Sequence, residues 1–207
     1  RVVIRSALAK LEEDGLIYRM QGKGAFVKKD KVNQNASVLT SFTQDMTQRN
    51  MTPGSVIMGK EFVPCTPFLS SKLQVPTEGF VFKLKRLRMA DSSPMAVEVC
   101  FLPEWIGRRI SDLMVDNTSL YSLLEQQCGV HLKYALQTIE VGTLERAERD
   151  ILGQNCPRCT AIITRQTFDV ENNVVEFVES RYRSDRYLFR MLLDMEKPET
   201  ETHINRA

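Results

Sequence analysis

The spacing of apolar and polar residues predicts a short helix and a hairpin at the start of this chain. Over residues 1–14, Ile4, Ala7, Leu8 and Leu11 recur at helical spacing and give the helix one apolar face. Gly15 then supplies a helix stop. Residues 16–19 and 25–27 have the composition of strands, and the glycines of residues 21–24 suit a tight turn between them.

The longer part of the chain is dominated by alternating segments that predict strands. Two tight turns, at 91–94 and 171–173, join neighbouring strands so closely that these must run antiparallel. The sequence therefore predicts an α+β fold with a central antiparallel sheet and flanking helices. The predicted strands cover residues 56–63, 80–89, 95–101, 133–141, 161–168 and 174–183.

Charge separates the beginning of the chain from the remainder. Residues 1–31 hold eight Lys or Arg and four Asp or Glu, a net charge of +4, whereas the whole chain carries +2. Only the first segment is thus expected to be attracted to phosphate. A polar run without apolar periodicity follows and predicts a linker over residues 29–37.

Five cysteines without a disulfide framework, no signal peptide and no apolar run of bilayer length predict a cytoplasmic protein with free thiols. Cys156-Pro-Arg-Cys159 is also compatible with a redox motif or half of a zinc site. A redox motif should follow a strand and open a helix, and here the predicted order is the reverse. The two histidines, His131 and His203, are not at ligand spacing, so we expect no metal site and no cofactor.

Three local patterns point to an anion. On the strand over residues 80–89, period two places Arg86 and Arg88 at the end of an apolar face, where they need a carboxylate or a bound anion. Ser41-x-x-Gln44 is a capping box that collects hydroxyl and N–H groups at a helix start. Ser119 opens another helix, with a second cluster of hydroxyls near its N-terminus. Simple helix capping, and arginines at a solvated strand end, are the alternatives.

Carboxylates and a phenol supply the other half of a polar pocket. A register centred on the turn at 91–94 brings Glu98 near Arg86, and Glu176 and Tyr182 share one face of the strand over residues 174–183. A carboxylate with apolar neighbours either pairs with an arginine or accepts hydrogen bonds from sugar hydroxyls. The sequence leaves both roles open.

The first segment resembles the recognition helix and wing of GntR-family winged-helix repressors. The resemblance rests on Leu8-x-x-Leu11-Glu12-x-x-Gly15-Leu16-Ile17 and Gln21-Gly22-x-Gly24-x-Phe26-Val27. It implies that the helix enters the major groove of operator DNA beside the wing. Two further helices would be needed to bury Ile4 and Leu8, so we expect the sequence to be a fragment of a longer regulator. The DNA-binding residues it implies are Arg1, Arg5, Gln21, Gly22, Lys23 and Gly24.

The remainder resembles the effector-binding UTRA domain of HutC-type GntR regulators, in particular their amino-sugar branch. The segments that carry this resemblance are residues 39–46, 85–91, 95–98, 119–121 and 179–187. It implies the fold of chorismate lyase without that enzyme's chemistry, in a homodimer, and a phosphosugar such as N-acetylglucosamine-6-phosphate or glucosamine-6-phosphate as effector. The residues implied to hold the phosphosugar are Ser41, Phe42, Thr43, Arg86, Arg88, Ser119 and Tyr121, with Glu98, Glu176 and Tyr182 facing the sugar.

The expected organisation is a partial winged helix-turn-helix over residues 1–28, the linker over 29–37, the UTRA domain over 38–195 and a loosely ordered tail over 196–207. An enzyme on the same lyase-like sheet is an alternative, although the chain offers no nucleophile–base constellation at recognisable spacing. A small-molecule-binding dimerisation module without DNA function is another.

Overall fold

A six-stranded antiparallel sheet organises most of the described chain. In the computed structural model its strand order is β4-β5-β6-β9-β8-β7, and every pairing within it is antiparallel. The prediction of an α+β fold built on a central antiparallel sheet is confirmed. The structure describes residues 2–14, 16–20, 22, 24–27, 31–35, 37–153 and 155–193.

The strands of this sheet extend the predicted ones at their ends, because backbone pairing continues beyond the apolar residues. The tight turns at 91–94 and 171–173 join β5 to β6 and β8 to β9. The bounds are β4 Pro53–Pro64, β5 Phe80–Ala90, β6 Ser93–Pro103, β7 Leu132–Thr143, β8 Cys159–Asp169 and β9 Val174–Arg183.

Helices cover both faces of the sheet. Helices α2 (Phe42–Gln48), α4 (Glu104–Ile110) and α5 (Leu120–Cys128) pack on the face that carries Phe82 and Leu84. Helices α3 (Pro67–Leu73) and α6 (Arg146–Leu152) pack on the opposite face. Since side chains alternate along a strand, Arg86 and Arg88 lie on the first of these faces.

Helices α3 and α4 were not predicted, although α3 begins with a readable signal. Thr66 accepts a hydrogen bond from the N–H of Leu69, and Pro67 occupies the first helical position. Helix α6 begins at Arg146, shortly after β7 ends at Thr143.

The predicted linker contains a strand. Here β3 (Val32–Asn35) pairs in parallel with β10 (Tyr187–Arg190), and Val32 is buried. The sequence did not indicate this strand, because backbone pairing with a distant segment needs no apolar periodicity of its own. Residues 29, 30 and 36 of the predicted linker, together with the predicted tail over 196–207, lie outside the described residues.

The first segment forms the predicted helix and hairpin. Helix α1 spans Val2–Glu13, and β1 (Ile17–Met20) pairs antiparallel with β2 (Gly24–Val27). The rings of Tyr18 and Phe26 stack across the hairpin at 5.5 Å. Gly15, the predicted helix stop, lies outside the described residues. Of the helices that the structure describes, none has the length and apolar character to cross a membrane.

Candidate functional site

A polar pocket opens on the sheet face between α2 and α5. Counted together with its open mouth, the space inside it is about 550 Å³. All ten residues that the sequence nominated for an effector line it, together with six others that the sequence did not single out for this role. The lining residues are Thr40, Ser41, Phe42, Thr43, Arg86, Arg88, Glu98, Ser119, Leu120, Tyr121, Ile163, Arg165, Glu176, Val178, Ser180 and Tyr182.

Arg86 and Glu98 form a buried ion pair at the floor of the pocket. The β5–β6 register places them directly opposite each other, as the turn at 91–94 predicted, and Arg86 Nε donates to Glu98 Oε1 at 2.9 Å. Burial alone would raise the pKa of the Glu98 carboxyl, but Arg86 and Arg88 outweigh it and hold the pKa below its usual value. The salt-bridge role left open by the sequence is therefore present.

Arg88 lies beside this pair, and no carboxylate of the described residues forms an ion pair with it. Its guanidinium stacks over the ring of Phe42, with 4.4 Å between the Cζ atom and the ring centroid. Burial, assisted by the like charge of Arg86, lowers the pKa of Arg88 to about 10. Among the described residues, Arg86 Nη1 and Arg88 Nε and Nη1 are enclosed without a hydrogen-bond partner.

Glu176 anchors the opposite wall. Its Oε1 accepts hydrogen bonds from the hydroxyls of Thr167 at 2.9 Å and Tyr121 at 3.2 Å. Desolvation by burial, with Glu98 adding to it, raises the pKa of the Glu176 carboxyl despite the nearby Arg165. Burial likewise raises the pKa of Tyr182 to about 12. This wall presents a carboxylate and phenolic hydroxyls, the groups that pair with sugar hydroxyls.

The start of α2 closes the pocket through its capping box. Ser41 Oγ accepts from the N–H of Gln44 at 3.1 Å, and Gln44 Oε1 accepts from the N–H of Ser41 at 2.9 Å. The Ser41 hydroxyl can still donate its own proton. Helix geometry leaves the N–H groups of Phe42 and Thr43 without a partner inside the helix. Ser119 caps α5 through its hydroxyl, which accepts a long hydrogen bond from the N–H of Ser122 at 3.4 Å.

Arg165 on β8 is the main pocket residue that sequence reasoning missed. Its Nε donates to Gln137 Oε1 at 2.8 Å, and its Nη1 donates to the Thr40 carbonyl at 3.3 Å. It thereby ties β8 and β7 to the residue just before α2. The alternation of β8 could have revealed it, because Arg165 shares a face with Ile163. Nothing in the sequence links it to Thr40, 125 residues away.

The predicted DNA-binding residues are only partly described. Arg5 is exposed on α1, and Gly22 and Gly24 have φ of +78° and +106° at the tip of the hairpin, where a side chain would be strained. Arg1, Gln21 and Lys23 lie outside the described residues.

The Cys156-Pro-Arg-Cys159 motif lies away from the pocket, between α6 and β8. Cys156 is buried, Cys159 is exposed as the first residue of β8, and both are free thiols. The motif therefore precedes a strand, the order expected from the sequence. In the part of the chain that the structure describes, no three His, Cys, Asp or Glu side chains cluster as metal ligands would.

Comparison with known proteins places the chain among regulators of transcription. Residues 48–188 match the family model of the UTRA domain. The HTH-type transcriptional repressor NagR of Bacillus subtilis is 32% identical over 194 residues, which cover 94% of this chain and 79% of that protein. The mannosyl-D-glycerate transport/metabolism system repressor MngR of Escherichia coli is 25% identical, over 93% of this chain and 80% of that protein.

The fold is also found among solved structures. The crystal structure of PhnF from Mycobacterium smegmatis has a TM-score of 0.75 at 21% identity, and the match covers 94% of this chain and 85% of that one. The effector domain of the same protein gives a TM-score of 0.72 over 79% of this chain and 99% of that one. At these identities, the likeness shows the fold alone.

Proposed function

Because this chain belongs to the UTRA-domain family of GntR-type transcriptional regulators, we propose that it is a DNA-binding repressor whose operator affinity is changed by a phosphosugar bound between α2 and α5. N-acetylglucosamine-6-phosphate and glucosamine-6-phosphate are the effectors we put forward. The relatives named above are repressors, which supports the regulatory part of the proposal.

The observation that carries the effector proposal is the set of enclosed, unpartnered nitrogens on Arg86 and Arg88. A buried donor without an acceptor costs free energy, and an arginine that lacks a carboxylate costs more. A phosphate group offers several acceptor oxygens and a compensating charge to two adjacent guanidinium groups. Ser41, Phe42 and Thr43 would add a hydroxyl and backbone N–H donors to the same group.

The opposite wall fits the sugar. Three arginines and two glutamates line the pocket, a net charge of +1 that favours an anionic ligand. With the phosphate near Arg88, the sugar would lie toward Glu176, Tyr121 and Tyr182. Ser119 and the carboxylate of Glu98 would complete the hydrogen bonds to the sugar hydroxyls.

We assign DNA contact to α1 and the β1–β2 hairpin, through Arg1, Arg5, Gln21, Gly22, Lys23 and Gly24. The proposed division keeps residues 1–28 as a partial winged helix-turn-helix and 38–195 as the effector domain. A homodimer would present two such elements to the two halves of an operator.

The proposed link between the two functions runs through β3 and β10. The strand β3 follows the hairpin closely in the chain and pairs with β10, whose Tyr187 packs against the pocket residue Tyr182 at 4.3 Å between ring centroids. An effector can change operator affinity only if it binds one arrangement of these elements better than another.

A thermal-shift titration of the full chain with N-acetylglucosamine-6-phosphate tests the effector. At about 100 times Kd, a specific ligand should raise Tm by roughly 5–10 °C. Arg88→Met should abolish the shift, because it removes the unpartnered guanidinium while keeping the length of the side chain. Arg108→Met is the matched control, since Arg108 is exposed on α4 outside the pocket, where it pairs with Glu104 and lies over the ring of Phe62.

N-acetylglucosamine without phosphate should leave Tm unchanged in every variant. Equal shifts with and without phosphate, or equal shifts in wild type and Arg88→Met, would overturn the assignment of the phosphate site.

A further inference from the structure

Arg165, on β8, joins three other elements beside the pocket. Its Nη1 donates to the Thr40 carbonyl at 3.3 Å and to the Tyr121 hydroxyl at 3.5 Å. Its Nε and Nη2 both donate to Gln137 Oε1, at 2.8 and 2.6 Å. One guanidinium thus ties β7 to the residue before α2 and to the start of α5.

The bond to Tyr121 orients a hydroxyl in the wall that the proposed function assigns to the sugar. Tyr121 accepts from Arg165 and donates to Glu176 Oε1 at 3.2 Å. A phenolic hydroxyl carries one proton, so these two bonds together set the direction of that proton. The oxygen of Tyr121 keeps a lone pair that can accept a hydrogen bond from a ligand.

The bond to Thr40 holds the chain where α2 begins. Thr40 precedes Ser41, the N-cap of α2, which has the extended backbone of a cap with φ of −71° and ψ of 158°. The start of α2 supplies the hydroxyl and N–H donors that the proposed function assigns to the phosphate. Arg165 therefore holds parts of both the phosphate side and the sugar side of the pocket.

The contacts of Arg165 differ from those of the two arginines on β5. Arg86 and Arg88 keep enclosed nitrogens without a partner, whereas each nitrogen of Arg165 has a neutral partner within the chain. Gln137 Oε1 receives two N–H groups from one guanidinium, an arrangement that the single nitrogen of a lysine does not provide. Gln137 lies on the edge strand β7 and is not among the residues that line the pocket.

We propose that Arg165 is a positioning residue for the effector, which acts through Tyr121 and Thr40 and not by pairing with the ligand. This inference rests on the proposed function. The site requires the forked shape of the guanidinium and not its charge alone, because one group must reach three neutral acceptors at once. A lysine at position 165 would keep the charge and lose this geometry.

A double-mutant cycle on the full chain tests this role, with calorimetric titration of N-acetylglucosamine-6-phosphate as the measurement. Arg165→Lys should weaken binding about tenfold, the effect of one well-placed hydrogen bond. In the Tyr121→Phe background, the same substitution should weaken binding less than about threefold, since the hydroxyl through which Arg165 acts is absent. A general loss of stability, or direct contact of Arg165 with the ligand, would give the same factor in both backgrounds.

Gln137→Leu provides a second measurement, because it leaves Arg165 in place and removes the amide that holds its fork. It should weaken binding about threefold or more, although Gln137 does not line the pocket. Gln126→Leu is the matched control, since Gln126 is exposed on α5 outside the pocket, and it should bind the phosphosugar as wild type does.

Two results would overturn the positioning role while leaving the proposed function standing. One is an equal effect of Arg165→Lys in the wild-type and Tyr121→Phe backgrounds. The other is unchanged binding by Gln137→Leu. If the wild-type chain did not bind N-acetylglucosamine-6-phosphate at all, the proposed effector and the role of Arg165 would both be overturned.

Discussion

The hydroxyl of Tyr187 donates a hydrogen bond to Asp45 Oδ2 at 2.9 Å, between residues 142 positions apart. Tyr187 is the first residue of β10, and Asp45 lies on α2 above the pocket. Since β10 also pairs with β3, this one bond fastens the helix over the pocket to the strand that follows the hairpin. Asp45 also accepts from Arg49 Nε at 3.0 Å, which fixes its carboxylate.

Tyr187→Phe should lower the free energy of unfolding by about 1.5–3 kcal/mol, because it removes a buried hydrogen bond to a charged group and keeps the ring. Urea denaturation measures the loss. Tyr18→Phe is the control, since Tyr18 is half exposed and keeps its stacking on Phe26. Equal effects of the two substitutions would contradict the importance of the Asp45 bond.

Gly107 lets α4 lie directly against β5. A Cβ atom at this position would stand 2.3 Å from Phe82 Cβ, closer than carbon atoms approach. Gly107→Ala should therefore destabilise the chain by about 1–3 kcal/mol through overpacking. Gly59→Ala is the matched control, because a Cβ there meets nothing within 4 Å. Thermal unfolding of both variants measures the difference in stability. A Gly107→Ala protein as stable as the Gly59→Ala protein would contradict the close packing of α4.

The sequence predicted the parts of the fold that local patterns determine. The Arg86–Glu98 pairing followed from period two along β5 and a tight turn at 91–94, and both are properties of one hairpin. The parallel pairing of β3 with β10 could not be predicted, because β3 is polar and its partner lies about 150 residues away. The hydrogen bond from Arg165 to Thr40 could not be predicted for the same reason, because the two residues belong to distant segments.

The two pocket arginines should respond in opposite ways to the same substitution. Arg86→Met removes the arginine that forms the buried ion pair with Glu98 and should cost about 3–5 kcal/mol. Arg88→Met removes a desolvated charge whose described contact is the ring of Phe42, and stability without ligand should change by less than about 1 kcal/mol or increase. Denaturant unfolding without ligand compares the free energies of unfolding of the two variants. A similar loss in both would show that Arg88 is already neutralised.

The Arg86–Glu98 pair should make stability depend on pH. The pKa of Glu98 is lower in the folded chain than its unfolded value of about 4.3. At pH values above its unfolded pKa, such a carboxyl stabilises the fold. This contribution to the free energy of unfolding is lost as the pH falls toward the folded pKa. Glu98→Gln should therefore destabilise strongly at pH 7, and its deficit relative to wild type should shrink below about pH 4. Glu61→Gln, at an exposed ion pair, should show only a small difference at pH 7. Unfolding free energies measured from pH 7 to pH 3 decide the matter, and a Glu98→Gln deficit that stays constant over this range would contradict the role of the ionised carboxylate.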